Sequence, residues 1–259
     1  MTQAALLFSI SLLALPAFAA DAPPKPVRII LVGDSTMATR TGYGDALCAR
    51  FKPTVSCINL ARGGRSSGSF RAEGRWDEVQ ALIQDGASFA RTYVLIQFGH
   101  NDQPGKPGRS TDLVTQFPQN IERYVTETAA LGGVPVLVTP LTRRSFKGDY
   151  LKDDLAPWAA ATRRVAAERK TPFIDLNAIS AAAVQQMGQD EADTLAQAPR
   201  PANYGAPASP GSVEPQGAPK SAFDRTHVGA KGAALFSGMV AGELLRLFPN
   251  LQDQIAVDR

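Results

Sequence analysis

The chain has 259 residues, 44% hydrophobic and 20% charged, which is enough apolar material for a sizeable core and too little charge for a disordered tail protein. Twenty-seven basic residues against 24 acidic leave a net charge of +3, too mild and too dispersed for a nucleic-acid-binding surface. A small anionic substrate or a glycan stays open.

Residues 1–19 carry no charge and end in Ala17-Phe18-Ala19, a small-x-small cleavage pattern after an apolar run from Ala4 to Leu15. This reads as a secretory signal peptide. The run is short of the ~20 residues a bilayer span needs, and Pro16 interrupts it. No later stretch approaches membrane length. The expectation is an exported protein, periplasmic or secreted, with no membrane span and one domain over 20–259. Export exposes Cys48 and Cys57 to an oxidising compartment. Their spacing suits a bridge from the end of one helix to the next strand, with two buried thiols as the alternative.

Val27 to Val32 is an apolar, β-branched run bounded by Gly33-Asp34-Ser35, the mark of a buried strand. Similar runs follow at Val55–Asn59, Tyr93–Phe98, Val134–Thr139 and Phe173–Leu176. Between them lie helix-period sets: Trp76, Val79 and Ile83; then Phe117, Ile121, Tyr124, Val125 and Thr128; then Leu155, Trp158, Thr162 and Val165. Val228 to Leu247 closes the chain. Strands buried on both faces that alternate with amphipathic helices predict a parallel sheet with helices on both sides. Pro199 to Pro219 stands apart, with six prolines and three glycines in 21 residues. It reads as a long loop at the rim of the site.

Ligands of open parallel sheets bind beyond the carboxyl ends of the strands, and the polar residues there form a pattern. The first strand ends in Gly33-Asp34-Ser35-Thr36, the second in Asn59 to Ser66, the third in Gly99-His100-Asn101-Asp102; Asp224-Arg225-Thr226-His227 precedes the last helix. A serine at a strand-to-helix turn exposes its Oγ and its N–H where an oxyanion would be stabilised. A histidine three residues after an aspartate can be held at Nδ1, leaving Nε2 to take a proton from serine. Only His100 and His227 are available, and His100 has no carboxylate at that spacing.

Other motifs compete. Gly64-Arg65-Ser66-Ser67-Gly68 fits the nucleophile elbow Gly-x-Ser-x-Gly, but Ser67-Gly68-Ser69 reads as continuing loop where an elbow runs straight into a helix. Gly99 to Lys106 approximates a phosphate loop with one residue too many between its glycines, and Pro107 where Ser or Thr belongs. Gly42-x-Gly44 reads as a turn.

In their order, the four blocks resemble those of the GDSL, or SGNH, hydrolases. The longer wording GDSTMA, ARGGRSSGSF followed by EGRW, QFGHND and DRTHVGAKGA is similar to the rhamnogalacturonan acetylesterase branch. The resemblance implies a flavodoxin-like three-layer α/β/α fold with a central five-stranded parallel sheet, and ester hydrolysis without metal or cofactor. It implies Ser35 as nucleophile, Asp224 and His227 as its triad partners, and an oxyanion hole of the Ser35 N–H, the Gly64 N–H and the Asn101 side chain. His100 becomes a structural neighbour, and Asp34 shapes the turn.

For substrate, four arginines fall between Arg62 and Arg75 against one acid, Glu73, and Arg143, Arg144 and Lys147 cluster after the fourth strand. Arg65, Arg75 and Arg143 are the candidates for holding the carboxylates of an acetylated pectic oligo- or polysaccharide. Trp76 reads as core. The chain is expected to act as a monomer.

Overall fold

A computed structural model describes residues 25–202, 204 and 223–256. The expected signal peptide, residues 1–19, and most of the Pro199–Pro219 segment lie outside these described residues. Five parallel strands form the central sheet: β1 (Val27–Gly33), β2 (Ser56–Asn59), β3 (Arg91–Gln97), β4 (Val134–Val138) and β7 (Phe173–Ile174), in the order β2-β1-β3-β4-β7. A short hairpin, β5 (Phe146–Lys147) with β6 (Tyr150–Leu151), stands off the sheet.

All seven residues of β1 are buried, because the sheet is covered on both faces and successive side chains point to opposite sides. Ile30, Val32, Val94, Ile96 and Leu137 pack against one layer, with Phe70 of α2 (Ser67–Ala72), Trp76 and Val79 of α3 (Arg75–Gln84), Phe117 and Tyr124 of α4 (Gln116–Ala130) and Val165 of α5 (Ala156–Glu168). Ile29, Leu31, Tyr93, Leu95, Val136 and Val138 face the other, with Leu47 of α1 (Gly44–Cys48), Val184 of α6 (Leu176–Asp193) and Phe236, Val240 and Leu244 of α7 (Ala230–Leu247). The result is the expected three-layer α/β/α architecture. Among the described residues no helix is long and apolar enough to cross a membrane.

Cys48, the last residue of α1, is joined to Cys57 in β2 as a disulfide. Closing so short a loop contributes about 2–3 kcal/mol in the chain-entropy account.

Candidate active site

The carboxyl ends of β1, β2 and β3 lie together because the strands are parallel and adjacent, with Gly33 registered against Gln97. Ser35 leaves β1 in a tight turn. Asp34 Oδ1 accepts from the Thr36 N–H (2.9 Å) and hydroxyl (2.8 Å), and its carbonyl accepts from the Ala38 N–H. The Thr41 hydroxyl then donates to the Ser35 carbonyl at 2.7 Å. This fold-back needs Gly42, where any side chain would collide with the Thr36 carbonyl. Gly42-x-Gly44 is therefore a close-packing element as well as a turn.

Beneath Ser35 runs a buried polar chain: Tyr43 OH donates to Gln97 Oε1 (2.6 Å), and Gln97 Nε2 donates to Thr36 Oγ1 (2.7 Å). Asp34 Oδ2 lies 3.3 Å from His100 Nδ1, with both side chains buried. Burial pushes the Asp34 carboxyl up, but the neighbouring His100 ring and the hydrogen bonds from Thr36 outweigh it and hold Asp34 below the usual carboxylate range. Burial pushes the Tyr43 phenol well up.

The second block is pinned to the first by Arg62 N–H to Gly33 O (2.9 Å). A Cβ built on Gly63 would stand 3.8 Å from that of Ser35, so this loop passes directly beside the serine. Gly64 has φ +78°, a conformation that favours glycine. Asn101 donates one amide hydrogen to Arg65 O (3.1 Å), which leaves its second for a ligand. Asp102 is buried and accepts from Ser67 N–H, Ser67 Oγ (2.6 Å) and Thr111 Oγ1 (2.9 Å). Burial pushes its carboxyl up to about 6 in spite of these bonds.

The fourth block is a loop. His227 Nδ1 lies 2.9 Å from Asp224 Oδ2, while Asp224 Oδ1 accepts the N–H groups of Thr226 (2.7 Å) and His227 (2.6 Å). Burial pushes Asp224 up, but the hydrogen bonds and charge of His227 and the two backbone donors prevail, and its pKa falls to about 2. Val228 N–H donates to Thr41 O at 3.0 Å. Thr41 thus bridges the histidine loop to the serine turn.

Arg144 locks this loop from below. Its buried guanidinium donates from Nη2 to the carbonyls of Asp224 (2.8 Å) and His227 (2.7 Å) and from Nη1 to Thr226 (3.4 Å), while its N–H donates to Arg225 O. Burial lowers its pKa to about 10. Arg143 Nε donates to Thr226 Oγ1, and Arg225 forks onto Asp193 with two 3.0 Å bonds.

The structure therefore joins the Ser35 turn to the Gly63-Gly64 loop and, through Thr41 and Val228, to the Asp224–His227 loop, with Asn101 bonded to the second block. Two sequence readings are corrected. Ser67-Gly68-Ser69 is not loop: it opens α2, and Ser66 is the N-cap, accepting from Ser69 N–H at 3.1 Å in a reciprocal capping box. What removes Ser66 from consideration is that it is buried and committed to that cap. Arg144 belongs to no surface cluster. His100 has no carboxylate at that sequence spacing, as read, but Asp34 from the neighbouring strand end lies beside its ring. The substrate candidates already have acids: Arg65 and Arg75 share Glu73 at 2.9 and 2.8 Å, and Arg143 pairs with Asp154. Trp76 is core, as read.

A serine just past the end of β1, a glycine loop beside it and a carboxylate-held histidine on the loop before the last helix stand on a five-stranded parallel sheet, and both fold and sequence place the chain among the SGNH hydrolases. The chain belongs to the GDSL-like lipase/acylhydrolase family, whose model matches residues 31–235, and it is a carboxylic ester hydrolase. It is 31% identical over 239 residues to the rhamnogalacturonan acetylesterase RhgT of Bacillus subtilis (strain 168), covering 89% of this chain and 95% of that protein. Over a 75-residue stretch, 29% of this chain and 28% of the relative, it is 44% identical to a rhamnogalacturonan acetylesterase of Emericella nidulans. Among solved structures, the acetylxylan esterase Axe2 of Geobacillus stearothermophilus shares the fold at 18% identity and a TM-score of 0.58, with 86% of this chain and 94% of that one covered.

Proposed function

We propose that this enzyme is an exported carbohydrate acetylesterase that removes acetyl groups from plant cell-wall polysaccharide, with pectic rhamnogalacturonan as the leading substrate. The observation that carries the chemistry is the Asp224–His227 pair, tied through Val228 and Thr41 to the Ser35 turn. His227 Nε2 takes the Ser35 proton as Oγ attacks the acetyl carbonyl. The oxyanion is held by the N–H groups of Ser35 and Gly64 and by the second amide hydrogen of Asn101. The C–O bond to the sugar then breaks, and His227 protonates the leaving hydroxyl. Water, deprotonated by His227, releases acetate from the acetyl-serine. With its pKa near 2, Asp224 stays ionised throughout and fixes the imidazole tautomer.

The substrate reading is supported by the named activity of relatives that match along most of the chain. It is tested by measuring acetate from acetylated rhamnogalacturonan and acetylated xylan, and fatty acid from a long-chain ester. Acetate from the pectic polymer at the highest kcat/KM is expected. Faster turnover of the long-chain ester would replace the proposal with a lipase-like activity.

A further inference from the structure

Arg65 follows Gly63 and Gly64 on the loop beside Ser35, and its side chain turns back onto that loop. Its Nη1 donates to the Gly63 carbonyl at 2.8 Å. That carbonyl and the Gly64 N–H belong to one peptide unit, which is planar and trans, so a bond that holds the oxygen also fixes the N–H on the opposite edge of the plane.

This unit needs such a bond. It lies between two glycines, and Gly64 stands at φ +78°. With no Cβ on either side, the plane can turn over at little steric cost. A guanidinium on the carbonyl selects one orientation, and its charge polarises the amide so that the N–H becomes a stronger donor.

The guanidinium is held in turn. Its Nε donates to both oxygens of Glu73, at 3.1 and 2.9 Å, and Glu73 accepts a second guanidinium through Arg75 Nε at 2.8 Å. Glu73 caps the end of α2 and Arg75 opens α3, so the glycine loop is tied to the join of two helices. The backbone of Arg65 reaches the other side of the site, where its carbonyl accepts from the Asn101 amide at 3.1 Å. One residue therefore contacts both the peptide that carries the Gly64 N–H and the side chain of Asn101.

We propose that Arg65 is a positioning residue for the oxyanion hole, its guanidinium setting the Gly63-Gly64 peptide so that the Gly64 N–H meets the developing charge, with Glu73 and Arg75 as its support. The inference rests on the reading of Gly64 as an oxyanion donor to an ester attacked by Ser35. It takes Arg65 away from the carboxylates of the substrate and makes it act on every acyl ester alike.

The test uses 4-nitrophenyl acetate, which has no carboxylate for an arginine to hold. Arg65→Met should lower kcat and kcat/KM together by roughly 10- to 100-fold, somewhat less than the outright loss of an oxyanion donor. Acetylated pectic oligosaccharide should show the same fall. Inhibition by methylboronic acid, which forms a tetrahedral adduct on a nucleophilic serine, should weaken by a similar factor, while the Kd of the deacetylated oligosaccharide holds. A raised KM on the acidic oligosaccharide with unaltered kinetics on 4-nitrophenyl acetate would make Arg65 a substrate-binding residue and overturn the proposal. Glu73→Gln leaves Arg65 in place but loosens it, and should lower kcat in the same pattern by a smaller factor. Should thermal melts show that Arg65→Met does not fold, an unchanged kcat in Glu73→Gln overturns the proposal instead. Ser35→Ala separates the two readings: if it stays active the site reading falls, whereas an inactive Ser35→Ala beside a fully active Arg65→Met removes the role of Arg65 alone.

Discussion

The two halves of the site are held in different ways. Ser35 leaves a strand buried along its whole length, and its turn is fixed by backbone bonds, by Asp34 and by the Tyr43–Gln97–Thr36 chain within the sheet's own edge. Asp224 and His227 follow no strand. They sit half-exposed on a loop held mainly by side chains reaching in from elsewhere: Arg144 on three carbonyls, Arg143 on Thr226, and Arg225 on Asp193. The serine half is therefore tied directly to the sheet. The histidine half depends on arginines and can be loosened without unfolding the sheet.

The largest effect should come from the serine half. Ser35→Ala is expected to lower kcat by roughly 10⁴-fold or more, whereas Ser66→Ala, which removes only a helix cap, should keep most of the activity and lose about 1 kcal/mol of stability. Steady-state kinetics with urea unfolding on both variants decides between them, and the reverse pattern would move the nucleophile to α2. Asn101→Ala should lower kcat by roughly 10²–10³ through loss of one oxyanion donor. An unchanged kcat would remove Asn101 from that role.

Arg144 probes the adjustable half. Arg144→Met leaves the Asp224, Thr226 and His227 carbonyls without their common donor, and a displacement of the imidazole by about 1 Å can cost on the order of 10² in rate. The expected result is a kcat lowered by about that factor, KM little changed and unfolding still cooperative. A normal kcat would show that the loop is held by its other contacts alone.

Much of this was legible in the sequence, for reasons that differ by element. The five strands announce themselves as apolar runs, and α3, α4, α5 and α7 show their buried faces at helical period. α6 does not, because its buried face includes Asn177, Ser180 and Ala192 beside Leu176 and Val184. In α2 the Ser-Gly-Ser start masks a helix whose cap, Ser66 with Ser69, was the only local signal. Block order was enough to find the candidate triad. The pairing of His100 with Asp34 needed strand adjacency, since both residues sit just past the ends of β1 and β3. Nothing local distinguishes buried Arg144 from exposed Lys147, because its partners are carbonyls 80 or more residues away.

The smallest effect concerns the join between the second and third blocks. Asp102 lies beneath α2, and burial raises its folded-state pKa to about 6, while an unfolded aspartate titrates near ~3.9. Between those values the folded chain keeps a proton that the unfolded chain has lost. Stability therefore falls as pH rises from about 4 to about 6 and then levels off, by about 2–3 kcal/mol for this group alone. Asp102→Asn keeps an acceptor for the Ser67 N–H and hydroxyl but has no proton to lose. Urea unfolding at pH 4, 5, 6 and 7 should show wild-type stability declining relative to the variant across that interval, with the two curves parallel above it. Parallel curves throughout would mean that Asp102 ionises as an ordinary carboxylate, its charge fully met by Ser67, Thr111 and the start of α2.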